Sequence, residues 1–235
     1  MPGEKDAMKD EAIVAQHTQG ERRIAASEAH LPAWLPKAVL VIARIVLGYL
    51  FFTQLFWKLP PSFSCSPDFR FTTANADGSL VRGDGLCDWI GIESVWATRP
   101  HTLLRAGRHI GVPISWAARV NGVFIDHVVE PNIRWFGWVI WGTEAFIFLS
   151  LCLGLFSRLG ALVAIGMATQ LVVGIAGISD PEEWEWGYNL ILLLAIVLFV
   201  SASGRIFGLD ARLRPRLLAE AARGNRIARF VLLLT

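Results

Sequence analysis

The sequence predicts an all-α membrane protein, in which four transmembrane helices form a bundle and an extracytoplasmic lobe connects helices 1 and 2. Hydrophobic residues make up 54% of the chain and charged residues 18%, whereas a soluble domain has about 25% charged residues. Mean hydropathy is +0.46. Stretches apolar enough to cross a bilayer core of about 30 Å place the spans at about residues 35–57, 135–156, 159–178 and 186–203.

Composition and motifs exclude several classes of function. The net charge is only +2 and no nucleic-acid-binding motif occurs, so no nucleic acid partner is expected. The cysteines, Cys65, Cys87 and Cys152, form neither a CxxC pair nor a zinc spacing, so no metal site is predicted. The chain also has no haem, flavin or iron–sulfur motif.

Residues 1–33 predict a polar cytoplasmic tail in which acidic and basic side chains are mixed. The segment lacks the apolar region and small-residue cleavage site of a signal peptide, so none is expected. Residues 11–29 could form an exposed helix, or the tail could become ordered only on a partner.

The first span, about residues 35–57, carries a charged residue deep within its apolar sequence. Arg44 lies about 14 Å along the helix at about 1.5 Å per residue. At 100° per residue, it shares one helical face with Gly48, Phe51, Gln54 and Lys58. Because charged side chains in a membrane normally face protein, this face is predicted to point into the bundle.

Residues 59–131 predict the extracytoplasmic lobe. Its first half has strand-like residues around an Asp77–Gly78 turn, which is typical of a β-hairpin. Cys65 and Cys87 bracket this hairpin. Since the lobe is expected on the oxidising side of the membrane, where disulfides persist, a Cys65–Cys87 disulfide is predicted.

The second half of the lobe predicts two short helices, with breaks at Pro100 and at residues 111–113. The apolar stripe of the second helix suits a position on the membrane surface. His101, His109 and His127 lie in this region. Their spacing matches no metal motif, so they are predicted to be packed or solvated.

Two polar residues interrupt the later spans. Glu144 lies near the middle of the second span and Gln170 near the middle of the third. A carboxylate at that depth costs at least about 2.5 kcal/mol, so it normally faces protein and has a partner. Counting residues from the span ends places Arg44 and Glu144 at similar depth, which predicts an Arg44–Glu144 ion pair supported by Gln170.

This polar cluster has two interpretations. It could be a structural pair that fixes the register of the helices. Alternatively, it could form a pocket that binds a quinone head group or relays protons, since ionisable residues inside a membrane are default candidates for a functional site.

A second polar and aromatic layer is predicted near the outer face of the membrane. It contains Gln54, Trp141, Trp186 and Asn189, together with Lys58, Trp138, Trp184 and Tyr188. The layer could be an aromatic belt at the lipid headgroups or the mouth of a quinone or lipid pocket. Cys152, inside the membrane, is predicted to be a packed apolar residue.

The distribution of basic residues predicts the orientation. The turn at Arg158 and the Arg-rich C-terminal segment from Arg205 are positively charged, whereas residues 179–186 contain no Lys or Arg. The positive-inside rule therefore places both termini in the cytoplasm. Residues 211–235 are predicted to be a basic, amphipathic cytoplasmic tail that lies at the membrane interface.

Three blocks resemble the DoxX/DoxD family: residues 43–59, 124–162 and 185–210. The second block has the family's Pro, membrane Glu, Gly-Leu step and Arg at Pro131, Glu144, Gly154, Leu155 and Arg158. The third block matches at Trp186, Tyr188, Asn189, Gly204, Arg205, Leu209 and Asp210. The resemblance implies a four-helix membrane domain over residues 34–210.

The DoxD branch is the small membrane subunit of thiosulfate:quinone oxidoreductase. The resemblance therefore implies a membrane subunit of a quinone-linked oxidoreductase that holds quinone while a soluble partner brings electrons. It also implies a multi-pass protein of the bacterial or archaeal cytoplasmic membrane, in contact with lipids and other subunits. The alternative is a non-catalytic accessory subunit of a larger respiratory or photosynthetic membrane complex, which the added tails favour.

Overall fold

The computed structural model describes residue 32 and residues 34–106, 110–176 and 185–235. The chain divides into two compact units, Met1–Ala38 and Val39–Thr235. The predicted tail, residues 1–33, lies outside the described residues except for Pro32.

Most of the described chain is helical. In chain order the helices are α1 (Trp34–Trp57), α2 (Gly85–Ala97), α3 (Ser115–Phe124), α4 (Ile133–Leu153), α5 (Ser157–Ile175), α6 (Glu185–Ser201), α7 (Leu209–Ala222) and α8 (Arg226–Leu234). The strands are β1 (Thr73–Ala74), β2 (Leu80–Val81), β3 (Thr102–Ala106) and β4 (Ile110–Pro113).

Within the described ranges, three helical segments are long and apolar enough to cross a membrane: Trp34–Trp57, Ser115–Leu153 and Ser157–Ile175. The fourth predicted span corresponds to α6, whose apolar part, Trp186–Ser201, is shorter. A helix of that length rises about 24 Å, somewhat less than a hydrocarbon core of about 30 Å. The count of four spans therefore stays a prediction.

The second span is the end of a longer helical run. A π-helical turn at Ile125–Val129 and a 3-10 turn at Glu130–Asn132 join α3 to α4, so the run extends over 39 residues. Pro131 supplies no backbone N–H, which accounts for the departure from regular α-helix at this point. Residues 115–131, predicted to belong to the lobe, are thus helix continuous with the span.

The core of the bundle lies between α1, α4, α5 and α6. Its buried residues are Leu47, Phe51, Ile147, Leu151, Ala161, Ala164, Ala195 and Leu198. Small residues let α4 and α5 approach closely, since a Cβ added at Gly160 would lie 2.7 Å from Ser150 Cβ. Large apolar side chains remain exposed on the outside of the helices, as expected for surfaces that contact lipid.

Residues 59–114, here called the lobe, begin with the predicted hairpin. β1 pairs antiparallel with β2, with Thr73 opposite Val81 and Ala74 opposite Leu80. Asp77 closes the turn by accepting a 2.9 Å hydrogen bond from the backbone N–H of Ser79. The prediction of a hairpin in this segment is confirmed.

The lobe also contains a hairpin that the sequence analysis did not predict. β3 pairs antiparallel with β4, with Thr102 opposite Pro113 and Leu103 opposite Val112. The two predicted helices are present on either side as α2 and α3, so the breaks at Pro100 and residues 111–113 were placed correctly. The fold class is nevertheless not strictly all-α, because the segment between the breaks pairs as strands.

The predicted Cys65–Cys87 disulfide is confirmed. It lies inside a second core, which contains Phe63, Cys65, Leu86, Cys87, Ile90, Ile125, Val129 and Ile133. This core packs the start of α2 against the junction of α3 and α4. The disulfide therefore cross-links two segments of the lobe inside the core that packs on this junction.

Candidate functional site

The partner of Glu144 is Lys58. The ammonium of Lys58 donates a hydrogen bond to Glu144 Oε1 and forms a buried ion pair with it. Lys58 is 5% exposed and Glu144 3% exposed. Lys58 Nζ also lies 4.5 Å from the centroid of the Trp57 ring, so the cation sits in a partly aromatic environment.

The predicted Arg44–Glu144 ion pair is therefore wrong, and the packing of α1 against α4 gives the reason. A Cβ added at Gly154 would lie 2.6 Å from Arg44 Nη1, and one added at Gly48 would lie 2.7 Å from Cys152 Sγ. Arg44 is thus level with the residue that follows α4, about ten residues or 15 Å from the level of Glu144. Counting from the span ends placed the two charges at a common depth that they do not share.

Arg44 belongs to a different group, here called the Arg44 cluster, formed by Arg44, Ser157, Ser203 and Asp210. The guanidinium donates to the backbone carbonyl oxygens of Ser203 at 2.8 Å and of Ile206 and Phe207 at 3.3 Å each. This ties α1 to the connection between α6 and α7.

The Asp210 carboxylate joins the same cluster to the α4–α5 turn. It accepts hydrogen bonds from the backbone N–H groups of Phe156 at 2.8 Å and Ser157 at 2.9 Å, and from the Ser157 hydroxyl at 2.7 Å. Ser157 Oγ in turn accepts from the N–H of Gly204 at 3.0 Å. These bonds hold helix ends together, so the Arg44 cluster is a structural centre.

Lys58 and Glu144 line a cavity of about 570 Å³. α1, α2, the α3–α4 run, α5 and α6 all contribute to it. Most of its lining is apolar and aromatic, including Leu50, Phe51, Trp57, Trp89, Phe136 and Met167. The polar side chains of the lining are Gln54, Lys58, Glu93, Thr143, Glu144, Gln170 and Tyr188. A cavity of this size and composition suits a small, largely apolar ring compound.

Glu93 is a polar residue of the cavity that the sequence analysis missed. It lies on α2 and is 4% exposed. Its Oε2 accepts hydrogen bonds from Gln170 Nε2 and, at 2.9 Å, from Asn121 Nδ2. Gln170 was predicted to support the Arg44–Glu144 pair, and the structure corrects this, because Gln170 binds Glu93. A carboxylate inside the apolar sequence WIGIESVW was the available signal.

Only some residues of the predicted outer layer line the cavity. Gln54 lines the cavity and accepts a 2.8 Å hydrogen bond from the Trp57 indole N–H. Trp141 donates instead to the Leu55 carbonyl at 3.3 Å, and Trp186 is 65% exposed. Neither tryptophan belongs to the cavity lining, and nor does Asn189, whereas Tyr188 does. Trp184 lies outside the described residues.

His101 is packed inside the protein. It is 1% exposed, and its Nε2 lies 3.1 Å from the Gly174 carbonyl oxygen and its Nδ1 2.8 Å from that of Arg99. His127 lies near the Val123 carbonyl oxygen, and His109 is outside the described residues. Among the described side chains no group of His, Cys, Asp and Glu could hold a metal ion.

Residues 112–234 match a family model described as TQO small subunit DoxD, which covers just over half of the chain. No curated protein matches the chain, and neither does any solved structure. The matched region includes Glu144 and Gln170, whereas Lys58, Glu93 and the disulfide precede it. The second and third blocks of the predicted resemblance fall inside the match, and the first lies outside it.

Proposed function

The chain belongs to the DoxD family, and from that membership we propose that it is an integral membrane subunit of a quinone-linked oxidoreductase complex whose cavity holds the quinone. One observation carries the proposal: a buried Lys–Glu pair lines a mostly apolar cavity of about 570 Å³. A partner subunit would bring two electrons, and the bound quinone would take them up with two protons from water to become the hydroquinone.

The residues of the cavity fit a quinone head group. Apolar and aromatic side chains bury the ring, and Lys58 and Gln54 offer N–H donors to ring oxygens. Glu144 Oε2 is buried without a hydrogen-bond partner, and such an atom is costly unless a ligand or water satisfies it. A quinone carbonyl has no hydrogen to donate, so the donor to this atom would be a water or the reduced, hydroxyl-bearing form of the ring.

The proposal includes the orientation of the chain in a bacterial or archaeal cytoplasmic membrane. α6 would be the fourth span, both termini would be cytoplasmic, and the lobe would be extracytoplasmic. The disulfide of the lobe supports this arrangement, because disulfides persist on the oxidising side. The Arg residues of α7 and α8 support a cytoplasmic position for that end.

The second candidate is a non-catalytic accessory subunit of a larger membrane complex. It is favoured by the Arg44 cluster, which places a second buried charge in a purely structural role. If the Lys58–Glu144 pair is of the same kind, the cavity has no ligand of its own. Binding of quinone separates the two candidates.

The experiment fills the cavity with a side chain at Gly166. Gly166 lines the cavity, and a Cβ added there meets no atom within 4 Å. Gly166→Leu should therefore occupy ligand space without a clash. Gly142 of α4 has equally open surroundings and is not part of the lining, so Gly142→Leu is the matched control.

Binding of decylubiquinone is titrated with the purified protein in lipid nanodiscs. The wild type and Gly142→Leu should bind equally well, and Gly166→Leu should bind at least about tenfold more weakly. Equal binding by all three proteins would show that the cavity is not the quinone site. Absence of binding in all three would favour the accessory subunit.

A further inference from the structure

Glu144 presents one satisfied and one unsatisfied oxygen. Oε1 is held by Lys58, while Oε2 is buried and accepts no hydrogen bond from the protein. Glu144 as a whole is 3% exposed, and it lines the cavity. A buried carboxylate oxygen without a donor points to a ligand that supplies one.

Lys58 places donors beside this acceptor. An ammonium group has three N–H donors and no acceptor, and the ion pair with Glu144 uses one of them. Lys58 also lines the cavity. The pair therefore offers a ligand both a donor and an acceptor at the same place.

A hydroxyl group is the chemical complement of this arrangement, because its oxygen accepts one hydrogen bond while its hydrogen donates another. A quinone carbonyl accepts only. With a carbonyl bound, Lys58 would be satisfied, but Glu144 Oε2 would stay unpaired and would face the lone pairs of a second oxygen. The two redox forms of the same ring differ at this point.

We propose that the Lys58–Glu144 pair makes the cavity selective for the hydroquinone over the quinone: one ring hydroxyl accepts from Lys58 Nζ and donates to Glu144 Oε2. The inference rests on the proposed function and specifies the redox form that the site retains. A site built to hydrogen-bond a hydroxyl discriminates strongly against an analogue that lacks it, because the buried group is then left unpaired.

The other carboxylate of the cavity does not offer the same recognition. Glu93 Oε2 already accepts hydrogen bonds from Gln170 and Asn121. Selectivity should therefore depend on Glu144. The matched control is Glu130→Gln, since Glu130 lies on the same helical run and is not part of the cavity lining.

The test compares decylubiquinol with decylubiquinone under argon, with each titrated into the wild-type protein in nanodiscs. The quinol should bind at least about tenfold more tightly. Glu144→Gln should abolish that ratio, and Glu130→Gln should preserve it. Equal binding of the two forms by the wild type, tighter binding of the quinone, or a ratio retained in Glu144→Gln would overturn the selectivity.

A second ligand makes the test independent of whether Glu144→Gln folds. The dimethyl ether of decylubiquinol keeps the ring and loses both hydroxyl hydrogens. It should bind the wild type as weakly as the quinone, and binding as tight as that of the quinol would overturn the inference. If no member of the series binds, the proposed function itself fails, which differs from a site that binds all members alike.

Discussion

Lys58 and Glu144 are 86 residues apart in the sequence and form a buried ion pair between the end of α1 and the middle of α4. Neither residue has more than 5% of its surface exposed. In such a setting the loss of one partner costs more than the loss of both, because the remaining charge is left without compensation. This asymmetry provides the first test.

Lys58→Leu or Glu144→Leu alone should each destabilise the protein by about 3–5 kcal/mol, whereas the double substitution should recover most of the loss. Denaturant unfolding in a mild detergent measures all three variants against the wild type. If neither single substitution lowered the free energy of unfolding, the result would contradict the Lys58–Glu144 ion pair.

Arg44 and Glu144 should behave independently. They belong to separate groups, and Arg44 is held by the carbonyl oxygens of Ser203, Ile206 and Phe207. Arg44→Leu should destabilise strongly, and adding Glu144→Leu should give a sum within about 0.5 kcal/mol of the two single effects. A double-mutant cycle measures this. If Glu144→Leu recovered the stability that Arg44→Leu loses, the result would support an Arg44–Glu144 pair and contradict the structure.

Removal of the disulfide should weaken both the lobe and the cavity. Cys65 and Cys87 are 22 residues apart, and closing a loop of that length stabilises by roughly 3 kcal/mol on the chain-entropy model. Cys87 lies in the first turn of α2, and this helix supplies Leu86, Trp89 and Glu93 to the cavity.

The double variant Cys65→Ala/Cys87→Ala should therefore be cut faster in the lobe by trypsin and should bind decylubiquinone more weakly. Cys152→Ala serves as the control for cysteine replacement, since Cys152 is a free cysteine. Unchanged proteolysis in the double variant would show that packing alone holds the lobe.

Gly154 should not tolerate a side chain. Its φ is 62°, a left-handed conformation that favours glycine, and an added Cβ would lie 2.6 Å from Arg44 Nη1. Gly224 also has a positive φ, 91°, but open surroundings. Gly224→Ala should cost about 1 kcal/mol for the backbone alone, and Gly154→Ala should cost clearly more. Equal melting temperatures for the two variants would rule out a tight contact at Arg44.

The orientation is tested by labelling single cysteines in a Cys152→Ala background. A cysteine at Gly78, in the hairpin turn, should react with an impermeant maleimide added outside intact cells. A cysteine at Gly224, between α7 and α8, should react only after the membrane is opened. The reverse result at either position would invalidate the proposed topology.

The sequence was informative where local patterns decide the structure. The Asp77–Gly78 turn, the disulfide and the apolar helices follow from short-range rules or composition, and the structure contains them. The prediction of an Arg44–Glu144 ion pair was wrong because the partner of a buried charge depends on how far one helix is shifted along its neighbour. Depth counted from span ends does not fix that shift, and an error of about ten residues exchanged Lys58 for Arg44.

The remaining differences also have physical causes. Glu93 enters the cavity only because α2 packs against α5, a tertiary contact with no sequence period of its own. The β3–β4 hairpin forms between helix-breaking residues, where the pattern predicted only interruptions. Gln170 was recognised as a buried polar residue, but its partner lies in a segment that was assigned to the lobe.

The attachment of Arg44 has a consequence for biosynthesis. Its first acceptor, the Ser203 carbonyl, lies 159 residues later in the chain. At about 5–20 residues per second, a ribosome needs about 8–30 s to reach that acceptor after it has made α1. During this interval α1 carries a guanidinium without its final acceptors, so α1 cannot complete its native hydrogen bonds until the segment after α6 has been translated.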